Sequence, residues 1–274
     1  MRLGIGSYAY RWALGTETFR PAQPATVADL VRDAAQMGVD VLQVADSAEL
    51  EAAPDSALTE LLALARDLGI RFQTGTTGAH PEQLARHIHI ARILEADVVR
   101  VVLDDGADPG PEVEALRAVL PQLDEHGLTV GIENHFTMTS PRILEVLEQL
   151  DHVRVGVVLD VANSIMCQEW PAQTIDQLAP HAVCVHLKDC RLEPDPEGVG
   201  GHVVGTPLGT GVVDLPAALA AVRARDDGEL AVILEQWAPR LPGIEETLKL
   251  EQEWRRAAVD HARESLQLGA RAKK

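Results

Sequence analysis

The sequence is poor in basic residues. Among its 274 residues, Lys and Arg together number 24, whereas Asp and Glu number 42, which gives a formal net charge of -18 at neutral pH. A field of that sign repels polyanions. The composition therefore argues against DNA, RNA and anionic membrane surfaces as partners.

The sequence also has little cysteine and no long apolar run. Its cysteines are few and odd in number (Cys167, Cys184 and Cys190), which predicts reduced thiols rather than a disulfide framework. Its longest apolar runs are far shorter than the roughly 20 residues of a membrane span. Met1 leads at once into a strand-like segment, without the apolar stretch of a secretion signal. We therefore expect a cytoplasmic protein with no membrane association.

What the sequence does contain is a regular alternation of strand-like and helix-like segments. Eight strand–helix pairs follow one another, a pattern that implies parallel strands with helices outside. The strands are apolar on both faces, as in the run from Val98 to Leu103, which is typical of a sheet covered on both sides. The length suits one barrel of this kind. We predict an α/β fold, a single (β/α)8 TIM barrel domain over residues 1–274.

Two segments depart from this alternation. Residues 193–211 are rich in glycine and lie between the seventh strand and the seventh helix, where barrel loops are usually shorter. We predict a flap-like insertion there, with a small hairpin around Gly201 to Gly205, over the mouth of the barrel. The polar residues 269–274 are predicted to fray. The long last helix, predicted over residues 244–266, could support a homodimer.

Four predicted strands end at residue types that bind metals. These residues are Glu133, Asp160, His186 and Glu235. They are 27, 26 and 49 residues apart, and one strand–helix unit takes roughly 30 residues, so they belong to successive units, the last of which carries the insertion. The carboxyl ends of barrel strands converge on one face, where barrel active sites lie. We interpret the four residues as one divalent-metal site.

The proposed ligands are three carboxylates and one imidazole. Such an oxygen-rich set suits Mn²⁺, Mg²⁺ or Co²⁺ better than an ion that prefers thiolates. We expect one divalent cation, with Mn²⁺ as the first choice and Mg²⁺, Co²⁺ or Zn²⁺ as alternatives. Any one of these residues alone would be read as a solvated strand end, but four on successive strands favour a metal site.

The motifs at these strand ends resemble those of the xylose isomerase-like barrel superfamily of sugar isomerases and epimerases. The motifs are GIEN at 131–134, LDVAN at 159–163, HLKD at 186–189, PLGTGVVD at 207–214 and LEQW at 234–237. The likeness covers nearly the whole chain. It implies a small carbohydrate substrate, a hydroxy-ketone that chelates the metal through neighbouring oxygens.

The resemblance also implies a chemistry. In the epimerase branch, two glutamates on opposite faces of the substrate carbon exchange its proton, and here they correspond to Glu133 and Glu235. A divalent cation stabilises the enediolate that forms, while carboxylates act as base and acid. Proton exchange on two faces gives epimerisation, whereas transfer to the neighbouring carbon gives aldose–ketose isomerisation.

Further candidates lie close to these strand ends. Lys188 shares the face of His186, which predicts a catalytic contact with the substrate or with the metal carboxylates, the alternative being a structural ion pair. Aromatic residues make up only 3% of the chain, so tryptophans on mouth-side loops suggest a wall for a sugar, although tryptophans also serve as packing. The predicted substrate contacts are Asn163, His135, Arg100, Arg191, Trp12 and Trp237.

Two departures from the ketohexose 3-epimerases keep other functions open. Those enzymes have a His three residues after the metal Asp, where this chain has Asn163, and a second Glu shortly after the metal Glu, which residues 134–139 lack. Our leading hypothesis is a metal-dependent isomerase or epimerase of a small keto-sugar. The alternatives are a lyase built on the same enediolate (a decarboxylase of an oxo-sugar acid, a dehydratase or an enzyme that cleaves oxidised glycosides) and a sugar-binding barrel without turnover. Fold alone does not choose among them.

Overall fold

The computed structural model of the chain describes residues 1–103, 109–223 and 228–269, and these contain a closed barrel of eight parallel strands. The barrel strands are Arg2–Gly6 (β1), Val41–Ala45 (β2), Arg71–Thr77 (β3), Val98–Val102 (β4), Thr129–Glu133 (β5), Val155–Asp160 (β6), Ala182–Leu187 (β7) and Ala231–Leu234 (β10). Around the barrel the order is β1-β10-β7-β6-β5-β4-β3-β2. The predicted (β/α)8 TIM barrel is confirmed.

Helices surround this barrel. In the described ranges they are Arg11–Leu14 (α1), Val27–Met37 (α2), Ala48–Ala52 (α3), Asp55–Leu68 (α4), Pro81–Ile93 (α5), Gly110–His126 (α6), Ser140–Leu150 (α7), Pro171–Leu178 (α8), Leu215–Arg223 (α9) and Ile244–Glu264 (α10). Local chemistry sets their ends: Thr26 and Asp29 form a capping box before α2, and Gly38 ends that helix with a φ of 70°. None of the described helices is both long and apolar enough to cross a bilayer.

The interior of the barrel is filled by small and branched side chains on the inward face of the strands. One buried layer consists of Val41, Val158, Cys184, Ala231 and Ile233. Two glycines make room for this layer, because a Cβ at Gly131 would lie 2.5 Å from a methyl of Val158, and one at Gly156 would lie 2.4 Å from a methyl of Val183. Glycine is therefore required at both positions for the strands to approach this closely.

The glycine-rich insertion folds as an antiparallel hairpin. Its strands are Asp189–Pro194 (β8) and Gly201–Thr206 (β9). Gly205 touches the chain just after β10, since a Cβ there would lie 2.1 Å from the carbonyl oxygen of Trp237. The hairpin therefore lies against the carboxyl end of the barrel. The predicted frayed tail, apart from Gly269, falls outside the described residues.

One buried carboxylate fixes the loop that follows the hairpin. Asp189 Oδ2 accepts hydrogen bonds from the N–H groups of Gly209 at 3.0 Å and Gly211 at 2.7 Å. Its other oxygen accepts from the N–H of Val213 at 3.2 Å. Position 211 requires glycine, because a Cβ there would lie 2.2 Å from Asp189 Oδ1. Asp189 thus orders the segment between the hairpin and α9.

We expect Asp189→Ala to lower the free energy of unfolding by about 2–4 kcal/mol, because the loop N–H groups lose their shared acceptor. Urea unfolding followed by circular dichroism measures the change. Asp214→Ala is the matched control in the same loop, since Asp214 only caps α9 through the N–H of Ala217 at 3.0 Å, and its loss costs about 1 kcal/mol. Equal destabilisation by the two variants would contradict the role given to Asp189.

Candidate active site

The carboxyl ends of β5, β6 and β7 bring together Glu133, Asp160 and His186. One ligand atom of each lies within 4.8 Å of the others, and all three residues are buried. The register of the parallel strands explains this, because Asp160 is paired with His186 and Glu133 is paired with Val158 on the strand between. The three side chains form a possible divalent-metal site.

The imidazole of His186 has one nitrogen that is bonded and one that is open. Nε2 lies 2.7 Å from Oε1 of Gln43. Nδ1 is buried without a hydrogen-bond partner. It faces three carboxylate oxygens, those of Glu133 at 3.6 Å, Asp160 at 3.8 Å and Glu235 at 3.4 Å. Ligand atoms about 2.1 Å from a shared ion lie roughly 3 Å or more apart, so this donor set fits a divalent cation.

The acids around His186 draw positive charge to its open nitrogen. Burial alone would lower the pKa of His186, but the negative charges of Glu235 and Glu133 raise that pKa well above its usual range. The same field that favours a proton on Nδ1 favours a metal cation in its place. The electrostatics of the site therefore agree with its donor geometry.

Lys188 links two of the carboxylates. Its Nζ donates a hydrogen bond to Glu235 Oε2 at 2.8 Å and lies 2.7 Å from Asp160 Oδ2, the latter without hydrogen-bond geometry. Burial would lower the pKa of Lys188, but Asp160 and Glu235 raise it above its usual range, so the side chain remains an ammonium. Glu235 itself stands next to the group of three potential ligands and shares the cation Lys188 with Asp160.

Arg100 holds the carboxylate of Glu133. Its Nε donates to Glu133 Oε2, and its Nη1 donates to Asp46 Oδ2 at 2.9 Å. The other oxygen of Glu133 accepts from Asn163 Nδ2 at 2.8 Å. Burial alone would raise the pKa of Glu133, but the guanidinium of Arg100 holds that pKa well below its usual range. Glu133 is therefore a firmly ionised carboxylate.

The side chain of Asp160 is oriented by its own strand end. Its Oδ1 accepts hydrogen bonds from the N–H groups of Ala162 at 2.9 Å and Asn163 at 2.8 Å, which leaves Oδ2 for the centre of the site. Asn134 joins the neighbouring strand, since its Oδ1 accepts from the N–H of Asp160 at 2.8 Å and its Nδ2 donates to the Asp160 carbonyl at 2.7 Å. The GIEN and LDVAN motifs thus supply two of the three potential ligands and the hydrogen bonds that orient them.

A cavity of about 600 Å³ opens beside this group. Aromatic rings form one wall: His135 stacks on Phe136 with 4.1 Å between centroids, and Phe136 lies 6.0 Å from Trp237. Lys188 Nζ stands 4.9 Å from the centre of the Trp237 ring. Residues of β9, from Val203 to Gly205, contribute to the same lining. The cavity therefore offers an apolar face next to charged groups.

The structure brings most of the predicted site residues to this cavity. Asp160 and His186 are fully buried at the strand ends beside it. Arg191 lies elsewhere, since it is on β8, pairs with Glu193 and does not line the cavity. The predicted residues that line it are Trp12, Arg100, Glu133, His135, Asn163, Lys188, Glu235 and Trp237.

Three contributors to the site escaped the sequence analysis. Asp46, the second acid on Arg100, also accepts a hydrogen bond from the Tyr8 hydroxyl at 3.1 Å and has a φ of 52°, which is uncommon for a non-glycine residue. Phe136 contributes to the aromatic wall. For Gln43 the sequence holds one signal that could have identified it, because Gln43 is the single amide inside the apolar run of β2.

The barrel with its acid–histidine group identifies the class of protein. The chain belongs to the xylose isomerase-like TIM barrel family, whose model matches residues 31–258. The resemblance inferred from the strand-end motifs is thereby confirmed.

Individual relatives cover nearly the whole chain. The chain is similar to the 3-oxo-isoapionate decarboxylase of Pectobacterium atrosepticum, with 29% identity over 264 residues that cover 95% of this chain and 94% of the relative. A D-psicose 3-epimerase crystal structure in the presence of D-fructose has a TM-score of 0.69 and 17% identity, over 96% of this chain and 98% of that one. A barrel protein from Mycobacterium smegmatis in complex with magnesium has a TM-score of 0.67 and 14% identity, over 94% and 97%. At these identities the two structures demonstrate the shared fold alone.

We expect the metal-free chain to bind one Mn²⁺ per molecule, and His186→Gln to weaken that binding by more than about 100-fold, because an open imidazole nitrogen is lost from the centre of the donor set. Titration calorimetry, with free Mn²⁺ followed by electron paramagnetic resonance, measures the affinity. His89→Gln is the matched control, since His89 lies on α5 beside Asp55 at 2.8 Å. Unchanged affinity in His186→Gln would rule out this centre.

Proposed function

We propose that the chain is a divalent-metal-dependent lyase that removes CO2 from a small 3-oxo sugar acid. The observation that carries the proposal is the ion pairing of the two strand-end glutamates. Glu133 is paired with Arg100, and Glu235 is paired with Lys188, all four side chains being buried. The full-length similarity to a decarboxylase supports the same reaction class.

These ion pairs make the glutamates weak bases. A general base works best when its pKa lies near the working pH. The pKa of Glu133 is held well below its usual range by Arg100 against the effect of burial. Burial would also raise the pKa of Glu235, but the charges of His186 and Lys188 lower it. Removal of a proton from carbon, on which isomerisation and epimerisation through an enediolate depend, is therefore less favourable here than with an unpaired glutamate.

Decarboxylation does not require such a base. The bond between the carboxylate and its neighbouring carbon breaks, CO2 leaves, and the electron pair of the bond moves toward the 3-oxo group to give an enediolate. A proton taken up from solvent at the same carbon completes the product. A divalent cation, held by Glu133, Asp160 and His186 with Glu235 as a fourth ligand, would supply the positive charge that stabilises this anion.

The residues that line the cavity have defined roles in this proposal. Lys188 adds a fixed positive charge where negative charge develops, and it aims the carboxylates of Asp160 and Glu235. Burial lowers the pKa of His135, so its neutral ring offers both a donor and an acceptor to substrate hydroxyls. Trp12 and Trp237 provide apolar surface for the carbon face of the sugar. These contacts also exclude water from the reacting carbon.

We expect the Mn²⁺-loaded protein to release CO2 from 3-oxo-isoapionate, and Lys188→Met to lower kcat by about 10²–10³-fold, because a preorganised positive charge is lost from the site. A coupled CO2 assay measures the rate. Lys249→Met on α10 is the control, since Lys249 is exposed, pairs with Glu253 and does not line the cavity. Failure of the wild-type protein to release CO2 from any 3-oxo sugar acid would refute the proposal.

A metal-dependent isomerase or epimerase of a keto-sugar is the second candidate. One observation favours it: Glu133 and Glu235 both line the cavity, as a base and an acid on two sides of a substrate would. The reaction would start from a carbon–hydrogen bond rather than from a carboxylate. The two candidates therefore differ in where solvent hydrogen enters.

Deuterium oxide separates these candidates. For the lyase we expect deuterium only in the decarboxylated product, whereas an epimerase or isomerase would place deuterium in keto-sugars recovered from the mixture. Mass spectrometry and NMR of a panel of keto-sugars and 3-oxo acids provide the measurement. In an epimerase, Glu133→Gln and Glu235→Gln would each abolish the exchange. Binding of sugars without exchange or CO2 release would indicate a barrel without turnover.

A further inference from the structure

A line of side chains crosses the barrel interior from His186 to the opposite end. His186 Nε2 lies 2.7 Å from Gln43 Oε1, Gln43 Nε2 donates to Gln73 Oε1 at 3.1 Å, and Gln73 Nε2 donates to Asp97 Oδ1 at 3.0 Å. The two glutamines are each 1% exposed, whereas the side chain of Asp97 is 43% exposed. Asp97 directly precedes β4, so it stands at the amino-terminal end of the barrel. We call these four side chains the polar relay.

The carboxylate at the far end determines the direction of every bond in the polar relay. An ionised carboxylate only accepts hydrogen bonds, so Gln73 has to turn its NH2 group toward Asp97 and its oxygen toward Gln43. Gln43 then donates to that oxygen and presents its own oxygen to His186. An imidazole nitrogen that faces an amide oxygen has to carry a hydrogen. The hydrogen of the ring is thereby placed on Nε2.

The reversed orientation of Gln73 would be unfavourable at its Asp97 end. Turned around, Gln73 would hold its oxygen 3.0 Å from a carboxylate oxygen of Asp97 with no hydrogen between them. Asp97 Oδ1 would also lose the N–H that Gln73 donates to it, and a hydrogen bond left unmade at a buried amide is destabilising. Cys184 adds to the same preference, because its thiol donates to Gln73 Oε1 at 3.4 Å.

We propose that Asp97 is a positioning residue for the cation site: through Gln73 and Gln43 it holds the hydrogen of His186 on Nε2 and leaves Nδ1 to bind the cation. The inference rests on the metal-binding part of the proposed function, and it extends that function to residues that do not line the cavity. Arg2 donates to the second oxygen of Asp97 at 2.9 Å, so Asp97 also takes part in an ion pair. Partners of a metal-binding histidine that lie outside the ligand shell change metal affinity by about 10–100-fold in other proteins.

Two single variants test the polar relay. Gln73→Leu removes the oxygen acceptor of the Gln43 amide and leaves it the weaker sulfur of Cys184 at 3.7 Å. The amide can then turn its NH2 group toward His186, and we expect Mn²⁺ affinity to fall by about tenfold or more. Asp97→Asn allows either direction of bonding, because an amide both donates and accepts, so a smaller loss of about threefold is expected. Titration calorimetry measures affinity, and urea unfolding of the metal-free chains measures stability separately.

A charge-swap variant distinguishes a directional relay from simple packing. Gln73→Glu combined with Asp97→Asn moves the carboxylate one step along the polar relay, where it accepts from Gln43 and from the new amide at position 97. The direction of bonding at His186 is preserved, so we expect Mn²⁺ affinity within about threefold of the wild type. Arg2→Gln is the control, since it breaks the ion pair but leaves the acceptor of Gln73 in place, and its Mn²⁺ affinity should be unchanged.

Nitrogen-15 NMR of the imidazole rings gives a readout that does not depend on activity. In the Mg²⁺-loaded wild type, His186, identified by its loss in His186→Gln, should show its hydrogen on Nε2, whereas Gln73→Leu should show a mixture. If the wild type binds no divalent cation, the proposed function and the polar relay both fail. If the wild type binds Mn²⁺ and folded Gln73→Leu and Asp97→Asn bind it equally well, only the polar relay is wrong. A folded double variant that binds as weakly as Gln73→Leu would also overturn it.

Discussion

The concentration of negative charge around one buried imidazole is the constraint on which the carboxyl end of this barrel depends. Glu133, Asp160 and Glu235 all face Nδ1 of His186 within 3.8 Å. Buried ions of one sign are costly unless opposite charges compensate them. Arg100 and Lys188 supply part of that compensation, each in contact with two carboxylates. A divalent cation at the open nitrogen would supply the rest.

The barrel interior combines an apolar layer with a chain of polar side chains, and both support the charged site. In the layer of Val41, Val158, Cys184, Ala231 and Ile233, branched and small side chains pack closely, and glycines at 131 and 156 leave room for neighbouring side chains. On the side of β2 and β3, amides replace apolar residues and continue the polar environment toward the far end. A buried polar chain is stable only when each member has its partner. The apolar layer therefore fixes the positions of the strands, while the polar relay fixes the orientation of His186.

The fold and the centre of the site could be predicted from the sequence, and the reasons are specific. Buried parallel strands are continuous apolar runs, so the acids and the histidine that end them stood out, and the topology alone placed Glu133, Asp160 and His186 together. The sequence pattern could not predict which side chains form hydrogen bonds and ion pairs with one another. Nothing in the run around Arg100 reveals that Glu133 and Asp46 accept its bonds. Arg191 is exposed and pairs with Glu193 instead of lining the cavity. Gln43 was overlooked because a single amide in an apolar run has no periodicity, and Gln73 because it stands among the polar residues of β3.

The difference between the two candidate reactions comes from a neighbouring strand rather than from the ligands themselves. A glutamate at the end of β5 would be a stronger base if its partners were neutral. Arg100 on β4 is paired in register with Gly131, two residues before Glu133, and this register brings the guanidinium to the Glu133 carboxylate. Gly75 on β3 leaves the space for this arginine, since a Cβ there would lie 3.0 Å from its side chain. The arginine stabilises the ionised carboxylate and so makes Glu133 a weaker base. The same ligand set can thus serve proton transfer or carbon–carbon cleavage, depending on a charge that the adjacent strand supplies.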